Sequence, residues 1–159
     1  MKQFKNKQKI EFLKGIPKAS LDDDNDKLTY RMKFNFGYFS SNINDCTENQ
    51  LKKLYEKLKH FSRESLEHWK HQEIGTGVNR GRVCAIYGDY PNNSNLSKPK
   101  SVPHQALWGR FRIDQSVRLC GFVIPDDFHQ RIHSKTGEYF DRNTFYVVFY
   151  DPEHDFYPC

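Results

Sequence analysis

Residues 108–124 read WGRFRIDQSVRLCGFVI, and this stretch decides the fold of the chain. Apolar and polar side chains alternate on both sides of residues 114–116, which is typical of two strands joined by a three-residue hairpin loop. A loop of odd length sets Ile113 opposite Val117, so the apolar side chains share one face of the sheet. A two-residue loop would divide that face, and we therefore predict the three-residue register.

The predicted register brings three arginines to the other face. Arg112 lies directly opposite Arg118, and Arg110 lies across from Cys120. Like charges in opposite positions destabilise a sheet by roughly a few tenths of a kcal/mol, so their presence is consistent with a bound anion such as phosphate. The alternative is that a nearby acid neutralises them: Asp114, Asp151 or Glu153.

The segments before the hairpin predict a strand and two helices. Residues 28–39 alternate between apolar and polar side chains, which predicts a half-buried strand. Residues 47–50 fit a capping box and predict a helix that begins at its threonine. We predict that Ser62 caps a second short helix, which carries Leu66 and Trp69. The first helix would direct one apolar face to the core: Leu51, Leu54, Tyr55, Leu58 and Phe61.

The remaining segments complete the predicted sheet. Residues 82–87 predict a short strand, residues 89–103 a long surface loop, and residues 125–142 a polar excursion. Residues 144–150 are apolar on both faces and predict a central strand. We therefore predict an α+β fold, in which a small antiparallel β-sheet packs against an N-terminal helical hairpin.

The positive charge of the chain is concentrated at its N-terminus. The chain has 159 residues and a formal charge of +5. Before residue 19, Glu11 is the only acid among these lysines: Lys2, Lys5, Lys7, Lys9, Lys14 and Lys18. Acids and bases nearly balance in the rest, so any phosphate site has to be local. Residues 1–27 predict a flexible basic and acidic arm, and residues 28–159 a single α+β domain.

Two patterns raise the question of a metal site. The acidic run at residues 22–26 predicts a solvated linker, with a divalent-metal site as the alternative, although it lacks the glycine and closing glutamate of an EF-hand loop. His129 and His133 stand four apart and would share a helical face, as zinc ligands can, and His104 and His154 could complete such a set. No H-E-x-x-H pattern occurs and no third ligand is evident. We therefore expect surface histidines, no metal and no cofactor.

The cysteines predict reduced thiols in a cytoplasmic protein. The four lie far apart and form no C-x-x-C pair, which excludes a zinc ribbon: Cys46, Cys84, Cys120 and Cys159. No apolar run resembles a signal peptide or a membrane span. We expect no membrane partner.

The last predicted strand leads directly into residues that could carry chemistry. Pro152 ends regular pairing and leaves His154 and Tyr157 at the strand terminus. Side chains in such a position are exposed and yet held by a rigid scaffold, which favours a functional role.

The order of elements, with an arginine-bearing hairpin and an apolar last strand, resembles the RelE-type mRNA-cleaving toxins of bacterial toxin–antitoxin systems. The resemblance covers about residues 28–157 and is closest in residues 108–113, 117–124 and 145–157. Members of this family have a compact antiparallel sheet flanked by a helical hairpin, and they cut mRNA in the ribosomal A site by activating the ribose 2′-OH. The present chain is longer, and its N-terminal arm and two excursions are atypical of the family.

The resemblance implies catalytic roles for residues of the sheet. Arg110 and Arg112 match the basic residues of the family's second strand, and Arg118 matches the arginine that opens the next strand. The arginines would stabilise the charge of the pentavalent phosphorane. His154 and Tyr157 correspond to the late His or Tyr, so that His154 would be the general base or acid and Tyr157 would orient the nucleophile or stack on a base.

The implied reaction is a metal-independent cleavage of RNA, with RNA or the ribosome and a cognate antitoxin as partners. A non-catalytic accessory protein of a phage or mobile element, which binds protein or nucleic acid, is the alternative. The nuclease hypothesis requires Arg112, Arg118 and His154 to converge within about 10 Å. Substrate binding is assigned to three residues: Trp108, Arg110 and His104.

Overall fold

The arginine-bearing hairpin forms the middle of a five-stranded sheet in the computed structural model, which describes residues 6–22 and 27–158. The strands of this sheet, in spatial order, are β1 (Lys33–Asn35), β7 (Thr144–Asp151), β6 (Arg118–Val123), β5 (Leu107–Arg112) and β4 (Cys84–Gly88). A two-stranded ribbon consists of β2 (Glu73–Ile74) and β3 (Gly81–Arg82). The α-helices are α1 (Lys7–Gly15), α2 (Lys27–Tyr30), α3 (Glu48–Phe61) and α4 (Leu66–His71). The predicted α+β class is confirmed.

The predicted hairpin register is confirmed. Arg112 pairs with Arg118 and Arg110 with Cys120 across β5 and β6. At the turn, the amide of Ile113 donates to the carbonyl of Val117 at 3.0 Å. The side chain of Asp114 closes the loop by accepting the amides of Ser116 and Val117. The odd loop and the shared apolar face therefore specify the same pairing.

The prediction of a strand over residues 28–39 is wrong for most of its length. Residues 27–30 form a single helical turn, and Leu28 is 69% exposed. The chain is tied there to the turn before α4, because the Tyr30 hydroxyl donates to Glu64 and the Met32 amide donates to the Glu64 carbonyl. Only Lys33–Asn35 pairs, and it runs parallel to β7, whereas the other three strand pairings of the sheet are antiparallel.

The helical hairpin forms with two corrections. The capping box at the start of α3 is present in full, since the amide of Gln50 donates to the Thr47 hydroxyl and the Thr47 amide donates to the Gln50 side chain. The cap of α4 is Ser65 and not Ser62, because the amide of Ser62 still donates to the Leu58 carbonyl and so closes α3. Tyr55 remains exposed, although the periodicity placed it on the buried face.

The sheet has a different apolar cluster on each face. The helices cover one face, where Phe61 of α3 and Trp69 of α4 pack with Phe111 of β5. On the opposite face, Trp108 and Phe156 belong to a second buried cluster. Side chains alternate along β5 and β6, so the three arginines lie on the same face as Trp108. This face is free of α3 and α4 and carries the candidate site.

The N-terminal arm is only partly described. Helix α1 buries none of its residues. Residues 1–5 and 23–26, which include most of the acidic run, lie outside the described residues, so the flexible arm and the linker or metal alternatives for that run stay predictions. Within the described ranges, no helix combines the length and the apolar character needed to cross a bilayer.

Candidate functional site

The three arginines have backbone and tyrosine partners. Arg118 donates through Nη1 to the carbonyls of Asp114 (2.8 Å) and Val117 (3.0 Å), at the base of its own hairpin. Arg110 donates through Nη1 to the carbonyl of Arg82 (2.9 Å). Arg112 donates through Nη1 to the carbonyl of Asn79 (2.9 Å), in the loop between β2 and β3. Within residues 6–22 and 27–158, no carboxylate forms an ion pair with any of these guanidinium groups.

Two of the three acids that could neutralise the arginines have other hydrogen-bond or ion-pair partners. Asp114 forms an ion pair with Lys53 of α3 at 3.0 Å. The carboxylate of Asp151 accepts backbone amides of the C-terminal turn, as described below. Burial, followed by the neighbouring Arg110 and Arg112, lowers the pKa of Arg118 from its ordinary value. Asp151 is also the direct cross-strand partner of Arg118 in β6 and β7, so an anion site and neutralisation by this carboxylate both stay predictions for the arginine face.

A cavity of about 170 Å³ opens beside the arginines. Its wall includes Tyr87, Arg110, Arg118, Asp151, His154 and Tyr157, and we call it the arginine pocket. The pocket brings together four of the seven site residues predicted from the sequence, on two strands and the C-terminal turn: Arg110, Arg118, His154 and Tyr157.

A buried carboxylate shapes the C-terminal turn that carries His154. Asp151 is 3% exposed, and its two oxygens accept the amides of Asp155 and Phe156, each at 3.0 Å. Within this turn His154 has a φ of 61°, a left-handed conformation that residues other than glycine seldom adopt. Such conformations persist where the surroundings enforce them, and they are frequent at functional sites. Asp151 therefore positions the half-buried His154 at the wall of the pocket.

We expect Asp151→Ala to destabilise the fold by about 2–4 kcal/mol, because it leaves two amides at the turn without their charged acceptor. Asp151→Asn keeps one acceptor oxygen and should lose less. Urea denaturation measures both changes, with Glu153→Ala as the control at an exposed position of the same turn. Equal midpoints for Asp151→Ala and Glu153→Ala would contradict this role of Asp151.

Two stacked tyrosines form one side of the pocket. The rings of Tyr87 and Tyr157 lie 4.9 Å apart between centroids and 16° from parallel, and both are about half exposed. Arg110 fixes the inner ring, because its Nε donates to the Tyr87 hydroxyl at 3.1 Å. Tyr87 is the site residue that the sequence analysis missed. The pairing of Ala85 with Arg110 would have revealed it, but the long loop between β4 and β5 leaves that register undetermined in the sequence.

The wall of the pocket also contains an uncharged thiol. Cys120 is buried there, and burial, followed by the charge of Asp151, raises the pKa of its thiol well above the ordinary value. The thiol is therefore protonated and inert at neutral pH.

Three predicted site residues lie outside the arginine pocket. Arg112 is held by Asn79 beneath the loop between β2 and β3. Trp108 is 1% exposed in the second apolar cluster, so it has no surface to offer a substrate. His104 is exposed in the long loop and does not line the pocket.

His129 and His133 do not share a helical face, which the metal-site alternative required. The segment has only a 3-10 turn at residues 126–128, which ends at His129. Both rings instead support loops, because Nδ1 of His129 accepts the amide of Arg142 and Nδ1 of His133 accepts the amide of Lys135. In the part of the chain that the structure describes, no group of three or more His, Cys, Asp or Glu side chains is placed to hold a metal ion.

Comparison with protein-family models, with curated proteins and with solved structures found no match to this chain.

Proposed function

We propose that the chain is a metal-independent endoribonuclease that cleaves single-stranded RNA in the manner of RelE-type toxins. One observation carries the proposal: two guanidinium groups that form no ion pair with a carboxylate of the described residues share a pocket with an imidazole and two tyrosines. Cationic donors that are fixed before the substrate binds are the groups that stabilise a phosphorane. A pocket of about 170 Å³ suits one phosphate and leaves no room for a bulky ligand.

The reaction would use the neighbouring 2′-hydroxyl as the nucleophile. Its oxygen attacks phosphorus, the bond from phosphorus to the 5′-oxygen breaks, and the products are a 2′,3′-cyclic phosphate and a 5′-hydroxyl end. His154 takes the proton of the 2′-hydroxyl as the general base, because its imidazole is the nitrogen base on the wall of the pocket. The hydroxyl of Tyr157 gives a proton to the leaving 5′-oxygen and regains one from solvent, while Arg110 and Arg118 bind the equatorial oxygens.

The resemblance to RelE-type toxins also implies a substrate, a compartment and a protein partner for this reaction. The substrate would be mRNA on the ribosome, the reaction would take place in the cytoplasm, and a cognate antitoxin protein would mask the pocket. The lysines of α1 would add a sequence-independent attraction to RNA, which weakens as salt increases.

The proposal is tested with the purified chain and end-labelled RNA in two reactions: free RNA with EDTA, and RNA on ribosomes in magnesium buffer, because ribosomes need magnesium to stay assembled. We expect cleavage that EDTA does not suppress, with a 5′-hydroxyl on the downstream product. A single 2′-deoxy residue at the cleavage position should block it, because the nucleophile is then missing. Absence of cleavage in both reactions, together with normal growth of cells that express the chain, would refute the proposal.

A second candidate function is binding without cleavage. One observation favours it: each of the three arginines already donates a hydrogen bond to a backbone carbonyl of this chain. Part of their donor capacity therefore serves the fold, and the remaining donors could hold a phosphate in an accessory protein that performs no chemistry. RNA binding that depends on Arg110 and Arg118, without product formation, would support this candidate.

A further inference from the structure

Three irregular segments outside the arginine pocket converge on a second cavity. The segments are the turn near Tyr38, the end of the long loop before β5, and the excursion at residues 125–142. They enclose a volume of about 430 Å³, which we call the aromatic pocket. The residues that determine its character are Tyr38, Phe122, Phe128, His133, Phe140 and Gln105. Long loops that build a common cavity are more often functional than incidental.

The rings of this pocket are held in place before any ligand arrives. Phe128 and His133 each contact Phe140 edge-on, with centroids 5.6 Å apart. Across the cavity, Tyr38 meets Phe122 edge-on at 5.2 Å. The excursion is itself fixed by paired backbone hydrogen bonds, including those between Phe140 and residues 130 and 131. Such a cavity binds without the entropic cost of ordering its side chains.

The chemistry of the lining selects a neutral, flat ligand. Among the described residues, no Lys, Arg, Asp or Glu lines the aromatic pocket, so a phosphate or a carboxylate has no partner there. Gln105 offers an amide that can both donate and accept. Nδ1 of His133 accepts backbone amides, so a neutral ring carries its proton on Nε2 as a donor. Aromatic faces with a few such polar groups are the features that recognise an unstacked nucleobase.

The position of the pocket connects it with the arginine pocket. Arg118, Cys120 and Phe122 alternate on one face of β6, where Cys120 lines the arginine pocket and Phe122 lines the aromatic pocket. The four steps along the strand from Arg118 to Phe122 span about 13 Å. One buried cluster adjoins both pockets, because Trp108 pairs with Phe122 of the aromatic pocket and Phe156 lines the arginine pocket. A short single strand could therefore reach both sites on one surface.

We propose that the aromatic pocket binds one unpaired nucleobase of the RNA strand whose phosphate occupies the arginine pocket. This inference rests on the proposed function and extends it, because it makes the excursion at residues 125–142 a determinant of base preference. Gln105 would read the polar edge of the base while Phe140 and its neighbours enclose the ring.

The test uses a short 2′-deoxy oligonucleotide, which the proposed reaction cannot cleave, and measures its affinity for the full chain by fluorescence anisotropy. An abasic residue is introduced at each position in turn. We expect about a tenfold loss of affinity at one position, the range of a single base–aromatic contact. Phe140→Ala should remove this dependence on the base, and Gln105→Ala should change which base is preferred. Tyr139→Ala is the matched control, because that neighbouring ring is exposed and lies outside the pocket.

The outcomes separate this inference from the proposed nuclease. A base-dependent affinity that Phe140→Ala abolishes supports the nucleobase site even if RNA is never cleaved. Equal affinities for intact and abasic strands at every position overturn it even if cleavage occurs. That result would leave an aromatic side chain of a protein partner as the occupant. If Phe140→Ala and Tyr139→Ala both abolish the dependence of affinity on the base, the assignment of the nucleobase site to the aromatic pocket is overturned as well.

Discussion

RNA cleavage by the His154→Asn variant is expected to be about 100- to 10,000-fold slower than by the native chain, the range for removal of a general base. Asparagine is the informative replacement, because it tolerates the left-handed backbone that His154 adopts at φ 61°. It therefore removes the imidazole while it preserves the turn set by Asp151. The measurement is the single-turnover rate on labelled RNA at several pH values, with the melting temperature recorded for each variant.

The control for this prediction is His71→Ala, which removes an exposed imidazole on α4 that does not line the arginine pocket. It should leave the rate unchanged. Arg118→Ala should slow cleavage as well, and it should also weaken the binding of an uncleavable strand because it removes a phosphate contact. A His154→Asn variant with the native rate would exclude His154 as the base, regardless of the cleavage rate measured for Arg118→Ala.

Gly121→Ala is expected to have the largest effect on stability, a loss of more than about 3 kcal/mol. A Cβ atom at this position would overlap the carbonyl oxygen of Tyr146 and would lie 2.9 Å from its carbonyl carbon. The crowding arises at a bulge, where Cys120 pairs with Phe149 but Gly121 pairs with Val147. Because the obstacle is backbone in the middle of the sheet, no side-chain rotation can relieve it.

The prediction for Gly121 is checked by thermal unfolding, where the melting temperature should fall by at least about 6 °C. Gly15→Ala is the matched control, since a Cβ there meets no atom within 4 Å and the position lies in helix α1. A Gly121→Ala chain as stable as the control would show that the bulge can be rearranged at little cost.

The parts of the fold that depend on local patterns were predictable from the sequence. The register of β5 and β6 follows from a short loop and an apolar face, and the start of α3 follows from the side chains of Thr47 and Gln50. The strand expected over residues 28–39 failed because its alternation was overridden by tertiary contacts to Glu64 and Asn143. Parallel pairing of β1 with β7 joins segments more than 100 residues apart, and no local signal encodes it.

The candidate site was predictable to a similar extent. Local alternation placed the arginines on one face, and the proline after β7 indicated that His154 lies at a strand end. The place of Tyr87 in the site depends on the register of β4 with β5, which no short loop specifies. The burial of Trp108 depends on its contact with Phe156, which follows β7 in the chain. Such long-range packing, and not the alternation itself, determines which residues of one face remain exposed to solvent.

The pairing of β1 with β7 also has a consequence for the synthesis of the chain. Residues 33–35 find their partner only when residues 144–146 have been made, and the arginine pocket needs Asp151, His154 and Tyr157 in addition. A nascent chain on the ribosome can form α3, α4 and the hairpin of β5 and β6 early, since their contacts are local. The pocket is assembled only after residue 157 has been translated, so a nuclease of this design would stay inactive toward its own message up to that point.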